Sequence, residues 1–126
     1  MDSVVHFEIP ADNPKRAQKF YSTVFDWKIN NMPDMGYALL GTTEVDKNQM
    51  PTKPGAINGG MLKRQAPVKS VVITINVASI DDAAKKIVKQ GGKVVRKKAK
   101  VGDMGYAAYF KDTEGNVIGS GKTKCD

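Results

Sequence analysis

Residues 34–41 read DMGYALLG and residues 103–110 read DMGYAAYF. A phrase this specific, written twice in a chain of 126 residues, points to internal duplication, which governs every later reading of a sequence. Two more pairs flank it. VVHFEIPADNPKRAQKFY, residues 4–21, aligns with SVVITINVASIDDAAKKI, residues 70–87, placing His6 on Val72, Glu8 on Thr74, Asn13 on Ser79 and Ala17 on Ala83. GAINGGMLKR, residues 55–64, aligns with GNVIGSGKTK, residues 115–124. Three landmarks recur in one order. The simplest account is a single domain made of two modules, at about 1–64 and 68–124.

Each module predicts the same string of elements. Residues 4–9 read as a strand. Asn13 is a good N-cap, and Pro14 suits the first helical position, where its missing N–H is no loss. Ala17, Phe20, Tyr21 and Val24 follow at i, i+3, i+4 and i+7, one apolar helix face. Residues 27–30, 36–42 and 56–62 read as strands, and the proline-bearing loop 44–54 is expected to be mobile. The second module opens with a strand at 71–77. Ser79 caps the next helix, with Asp82 approximating a capping box. Ile80, Ala83, Ala84, Ile87 and Val88 form its predicted buried face, and Gly91-Gly92 stops it. Residues 93–98, 106–111 and 116–121 are strands, with DTEGN at 112–116 as a tight turn in which Gly115 takes positive φ. The expected fold is therefore α+β, with βαβββ used twice.

Composition bounds the function. The chain is 40% hydrophobic with a net charge of +7. It holds no apolar run of membrane-spanning length and no leader-like N-terminus, so a cytoplasmic protein without membrane contact is expected. Cys125 is the single cysteine, which excludes an intrachain disulfide and a cysteine-based zinc site. The basic excess, including Arg96-Lys97-Lys98 and Lys100, suits either an acidic small molecule or plain solvated lysines. Nucleic acid is not an expected partner, because interleaved aromatics and zinc-finger spacing are missing. GSGKT at residues 119–123 lacks the upstream glycine spacing of a phosphate loop.

The doubled module resembles the vicinal oxygen chelate superfamily, which includes glyoxalase I, bleomycin-resistance proteins and extradiol dioxygenases. HFEIPADNPKRAQKFYSTVFDW, residues 6–27, resembles the superfamily's opening: a strand bearing His, a polar turn, a helix ending in Phe-Tyr, and a strand led by a hydrophobic residue and Trp. KDTEGNVIGSG, residues 111–121, resembles its closing turn and strand, with Thr113 in place of the usual Pro. The resemblance implies two half-barrel sheets facing each other around a central pocket. It implies metal ligands on the first and last strands of each module. His6 matches the first-strand ligand; the other positions fall at Val72, near Gly59 and at Gly119, whose side chains supply no ligand. With His6 the only histidine, no divalent metal and no other cofactor is expected. The resemblance further implies a homodimer.

The candidate ligand-binding residues are His6 and Glu8, which strand periodicity puts on one face, Thr74 and Asn76 in the second module, and the repeated tyrosines Tyr37 and Tyr106. His6 and Glu8 read either as an acid–base pair or ligand anchor in a concave site, or as an inert hydrogen-bonded pair. The tyrosines read mainly as strand packing, and Trp27 as a core anchor. Met32, Met35, Met50 and Met61 suit an adaptable apolar pocket or simple filler. The function expected is binding of a small organic ligand, without metal. A metal-dependent lyase or dioxygenase and a basic partner-binding module stand as alternatives, and whether the protein is an enzyme stays open.

Overall fold

The computed structural model describes residues 1–101 and 105–123. The elements are β1 (Val4–Ala11), α1 (Pro14–Phe25), β2 (Lys28–Met32), a single 3-10 turn (Pro33–Met35), β3 (Tyr37–Gly41), β4 (Asn58–Lys63), β5 (Val72–Asn76), α2 (Ile80–Lys89), β6 (Lys93–Val101), β7 (Gly105–Lys111) and β8 (Val117–Thr123). The order is βαβββ twice, as the repeat predicts. The chain forms two compact units, His6–Val71 and, together with Met1–Val5, the residues from Val72 onward. The first residues join the second unit because the Ser3 carbonyl accepts the Asn76 N–H at 2.9 Å.

In the first unit the strands lie in the order β2-β3-β4-β1. β1 and β4 run parallel with Glu8 opposite Gly60, and the other pairs are antiparallel. The pairing of His6 through Ala11 with Asn58 through Lys63 has no bulge, so the alternation of side chains along β1 holds. The second unit repeats the order as β5-β8-β7-β6, with β5 and β8 parallel and Thr74 opposite Gly119. Its terminal strand β6 carries Lys93, Arg96, Lys97, Lys98 and Lys100. Charge on such a strand opposes edge-to-edge pairing, which gives much of the basic excess a structural use.

Local chemistry sets the helices. Asn13 Oδ1 accepts the Arg16 N–H at 3.1 Å, and Asp26 closes α1 in the left-handed region at φ 61°. Ser79 Oγ accepts the Asp82 N–H at 3.1 Å. Asp81 and Asp82 sit in the first turn of α2, and Lys86 and Lys89 in its last, the order the helix dipole favours. The core of the first unit is Ala11, Ala38, Leu40 and Met61, with Phe7, Ile9, Ala17, Tyr21, Trp27 and Ile29 packed on it. Trp27 stacks on Tyr21 at 4.8 Å, as expected of a core anchor. The core of the second unit is Val77, Ile80 and Ala108, with Ile75 and Ala83.

Two expectations need correction. Phe20 and Val24, expected on the apolar face of α1, and Val88, expected on the buried face of α2, are all exposed. Each helix meets its sheet along a narrow stripe, Ala17 and Tyr21 in α1 and Ile80 and Ala83 in α2, and Phe20 instead sets its ring edge-on to Tyr21. The methionines do not gather into a pocket: Met61 is core, whereas Met35 and Met50 are exposed. Within the loop 44–54, Asp46 Oδ1 accepts the N–H groups of Asn48 and Met50.

The repeated tyrosines are not structural equivalents. Glu8 and Thr74 stand at matching places, opposite Gly60 and Gly119. Across the next strand pair Leu39 faces Gly60, whereas Tyr109 faces Gly119. Counting back, Tyr37 corresponds to Ala107, one residue off Tyr106. A slip of one residue turns a strand's side chains to the other face. Tyr106 therefore shares the helix-side face of Ala108, where Lys98 Nζ lies 5.6 Å from its ring centre. Tyr37 alternates with the core residues Ala38 and Leu40 and points away from α1.

Candidate functional site

On the face of β1 away from α1, His6 and Glu8 meet Tyr37. The Tyr37 hydroxyl donates to Glu8 Oε2 at 2.8 Å and lies 2.8 Å from His6 Nε2. With its proton directed to the carboxylate, the phenol oxygen accepts from Nε2–H, the tautomer this geometry requires. The result is a directional chain from imidazole through phenol to carboxylate. Glu8 is buried at 7% exposure, while His6 and Tyr37 are half-buried. Burial of a carboxylate is tolerated only with partners, and Tyr37 is one.

The phenol has room because β4 has none of its own side chain there. A Cβ on Gly60 would land within the Tyr37 phenol, on Oη, Cζ and Cε2. Next along, a Cβ on Gly59 would lie 2.5 Å from the Phe7 ring. The register moves the last-strand ligand position of the first unit from near Gly59 to Gly60, the counterpart of Gly119. At that position the structure has a phenol in place of a carboxylate.

Burial holds the pKa of His6 below its ordinary value of 6.5, against smaller upward pulls from the Glu8 charge and a backbone hydrogen bond with Asn58. The folded protein thus binds fewer protons at this ring than the unfolded chain. Its contribution to stability is complete above pH 6.5 and is lost as pH falls through the lower folded value. With one histidine in the chain, the melting temperature is expected to decline from pH 6.5 toward roughly pH 5, before ordinary carboxylates titrate. His6→Gln should flatten that segment. An unchanged slope in the variant refutes the assignment.

A divalent metal does not fit these residues. Among the described residues no three His, Cys, Asp or Glu side chains stand close enough to hold one. His6 and Glu8 are both turned onto Tyr37, and Gly60 and Gly119 offer no donor.

Of the sequence candidates, then, the structure joins His6, Glu8 and Tyr37. Thr74 and Asn76 lie on β5 of the other unit, where a Cβ at Gly119 would come 2.9 Å from Thr74 Oγ1. Tyr106, 44% exposed on the opposite face, is not part of the group. Asn58, unmarked in the sequence, bonds the His6 ring through its backbone, and its side-chain Oδ1 accepts the N–H groups of Thr42 and Thr43 at 2.7 and 3.0 Å. An asparagine beside the Gly59-Gly60 pair was the available signal.

Paired βαβββ units with a polar group on the first strand define a protein of the vicinal oxygen chelate fold. The chain belongs to the Glyoxalase/Bleomycin resistance protein/Dioxygenase superfamily, whose model matches residues 3–119. It is 32% identical over 115 residues to a glyoxylase-like domain-containing protein of Didymella fabae, covering 87% of this chain and 85% of that one. Among solved structures it resembles a methylmalonyl-CoA epimerase in complex with methylmalonyl-CoA and NH4+, with TM-score 0.69, 15% identity, and 99% and 96% of the two chains covered. It also resembles a glyoxalase/bleomycin resistance protein/dioxygenase superfamily member from Vibrio splendidus 12B01, with TM-score 0.61, 13% identity, and 98% and 99% covered. At these identities the structural likeness speaks for the fold.

Proposed function

We propose that this protein binds a small organic molecule on the sheet face that carries His6, Tyr37 and Glu8, and does so without a metal. The observation that carries the reading is the buried Glu8 carboxylate joined through Tyr37 to a half-buried imidazole. A small number of placed polar groups of this kind is how small-molecule sites fix orientation. The phenol at Gly60 supports metal independence, since it takes the space of the missing ligand. The net charge of +7 favours an acidic ligand by long-range attraction.

The test is a thermal-shift screen of small organic acids, run in parallel with EDTA and with added zinc or nickel. A ligand that binds the native state at a hundred times its Kd adds about 2.7 kcal/mol. The expected result is a shift that is the same in both arms and is weakened in His6→Ala and Glu8→Gln. A shift that requires the metal overturns metal independence. A ligand whose affinity, normalised to folded protein, is equal in both variants removes the site from this face.

A further inference from the structure

The second unit has a cavity of about 430 Å³ between α2 and its sheet, walled by Ile80, Ala84, Ile87, Val94 and Phe110. That size lies within the range of small-molecule sites. Ser120, which is 3% exposed, is also part of its lining, and a hydroxyl there can donate to or accept from an oxygen of a guest.

The mouth is basic for a structural reason. Arg96 pairs with Tyr109 and Ala99 with Ala107, so β6 spends one more residue than β7 over that interval. Neighbours on a regular strand point to opposite faces, and a bulge re-aims them. Here Lys97 and Lys98 both line the cavity, together with Asp81, so the mouth carries two cations to one carboxylate. Lys98 is held by Asp81 at 2.9 Å, and Lys97 makes no ion pair among the described residues. The bulge lies across from Ala108, and Ala108 pairs with Ser120. The backbones that carry the lysines and the serine are thus two strand spacings apart, about 10 Å, with apolar walls between.

We infer that this cavity binds a hydroxy- or oxo-carboxylic acid with an apolar middle, its carboxylate at Lys97 and Lys98 and its oxygen on Ser120. The site is separate from His6, Tyr37 and Glu8 and stands or falls independently of them. 4-Hydroxyphenylacetate has the right span, and phenylacetate is the matched probe without the hydroxyl.

The experiment titrates both acids into the intact protein, followed by amide NMR. The expected result is saturable shifts at Ile87 and Ala108, with the hydroxy acid binding about tenfold tighter, the worth of one buried hydrogen bond. Ser120→Ala should bring that ratio to about one. Lys97→Ala should weaken both acids, and His6→Ala should change neither. Three results overturn the inference: no saturable shift at those residues, equal affinity for the two acids in the wild type, or a ratio that survives Ser120→Ala.

Discussion

Gly60→Ala is expected to cost about 2–6 kcal/mol of stability, adding the roughly 1–3 of an overpacked site to the roughly 1–3 of a buried polar group deprived of its partner. Both parts come from one added methyl. An alanine Cβ would coincide with the Tyr37 phenol, and the phenol tip is the atom group that joins His6 and Glu8. Retreat of the ring breaks both contacts at once. The backbone of β4 cannot yield instead, because it is bonded to β1 on one side and β3 on the other. Urea denaturation of the variant measures the loss. The mechanism is checked in a Tyr37→Ala background, where the methyl meets empty space and the same substitution should be close to neutral. A full cost in that background would mean that the methyl clashes with something other than the ring.

How much of this could be read from residues alone depends on what sets each feature. The duplication was legible because strand and helix periods, the Asn13 and Ser79 caps and the Gly91-Gly92 stop are local, and local signals survive in the chain's own order. His6 and Glu8 were legible as a pair for the same reason: period two along β1 puts them together whatever β1 pairs with. Tyr37 was not. Its face depends on the register of β3 against β4, and that register is set by the connection between them. Residues 42–57 form a long loop with its own hydrogen bonds, whereas β7 and β8 are joined by the tight turn at Asp112, whose carboxylate accepts from the N–H groups of Glu114 and Asn116. Two connections so different have no reason to deliver identical phrases in identical register, and a one-residue difference reverses the face. The same limit hid the bulge at Lys97 and Lys98. A run of basic residues reads as a solvated strand until its partner shows that one residue is extra.

Tyr37→Phe is expected to destabilise the protein by about 1–3 kcal/mol, although the ring remains and no packing is lost. Phenylalanine keeps the apolar body against β4 and removes only the hydroxyl. Glu8, at 7% exposure, loses the donor held at 2.8 Å, and His6 Nε2 loses the oxygen that accepts from it. A charged acceptor makes the stronger kind of hydrogen bond, so the carboxylate side should carry most of the cost. The cycle with Glu8→Gln separates the two halves. If the phenol acts through the carboxylate, the double variant loses less than the sum of the singles, by about 0.5–3 kcal/mol, the coupling range of residues in one network. Additive losses would show that Tyr37 and Glu8 contribute independently. The pH profile supplies a second readout that simple loss of packing would not move. The ring donates to the phenol oxygen from Nε2, a bond that strengthens when the ring is charged, so its removal withdraws support from the imidazolium and makes His6 harder to protonate in the folded state. The acid-induced decline below pH 6.5 should then become steeper in Tyr37→Phe than in the wild type, because the folded and unfolded affinities of the ring for its proton draw further apart. A shallower decline would mean that the hydroxyl favours the neutral ring by donating to Nε2, and the directional chain from His6 to Glu8 would have to be reversed.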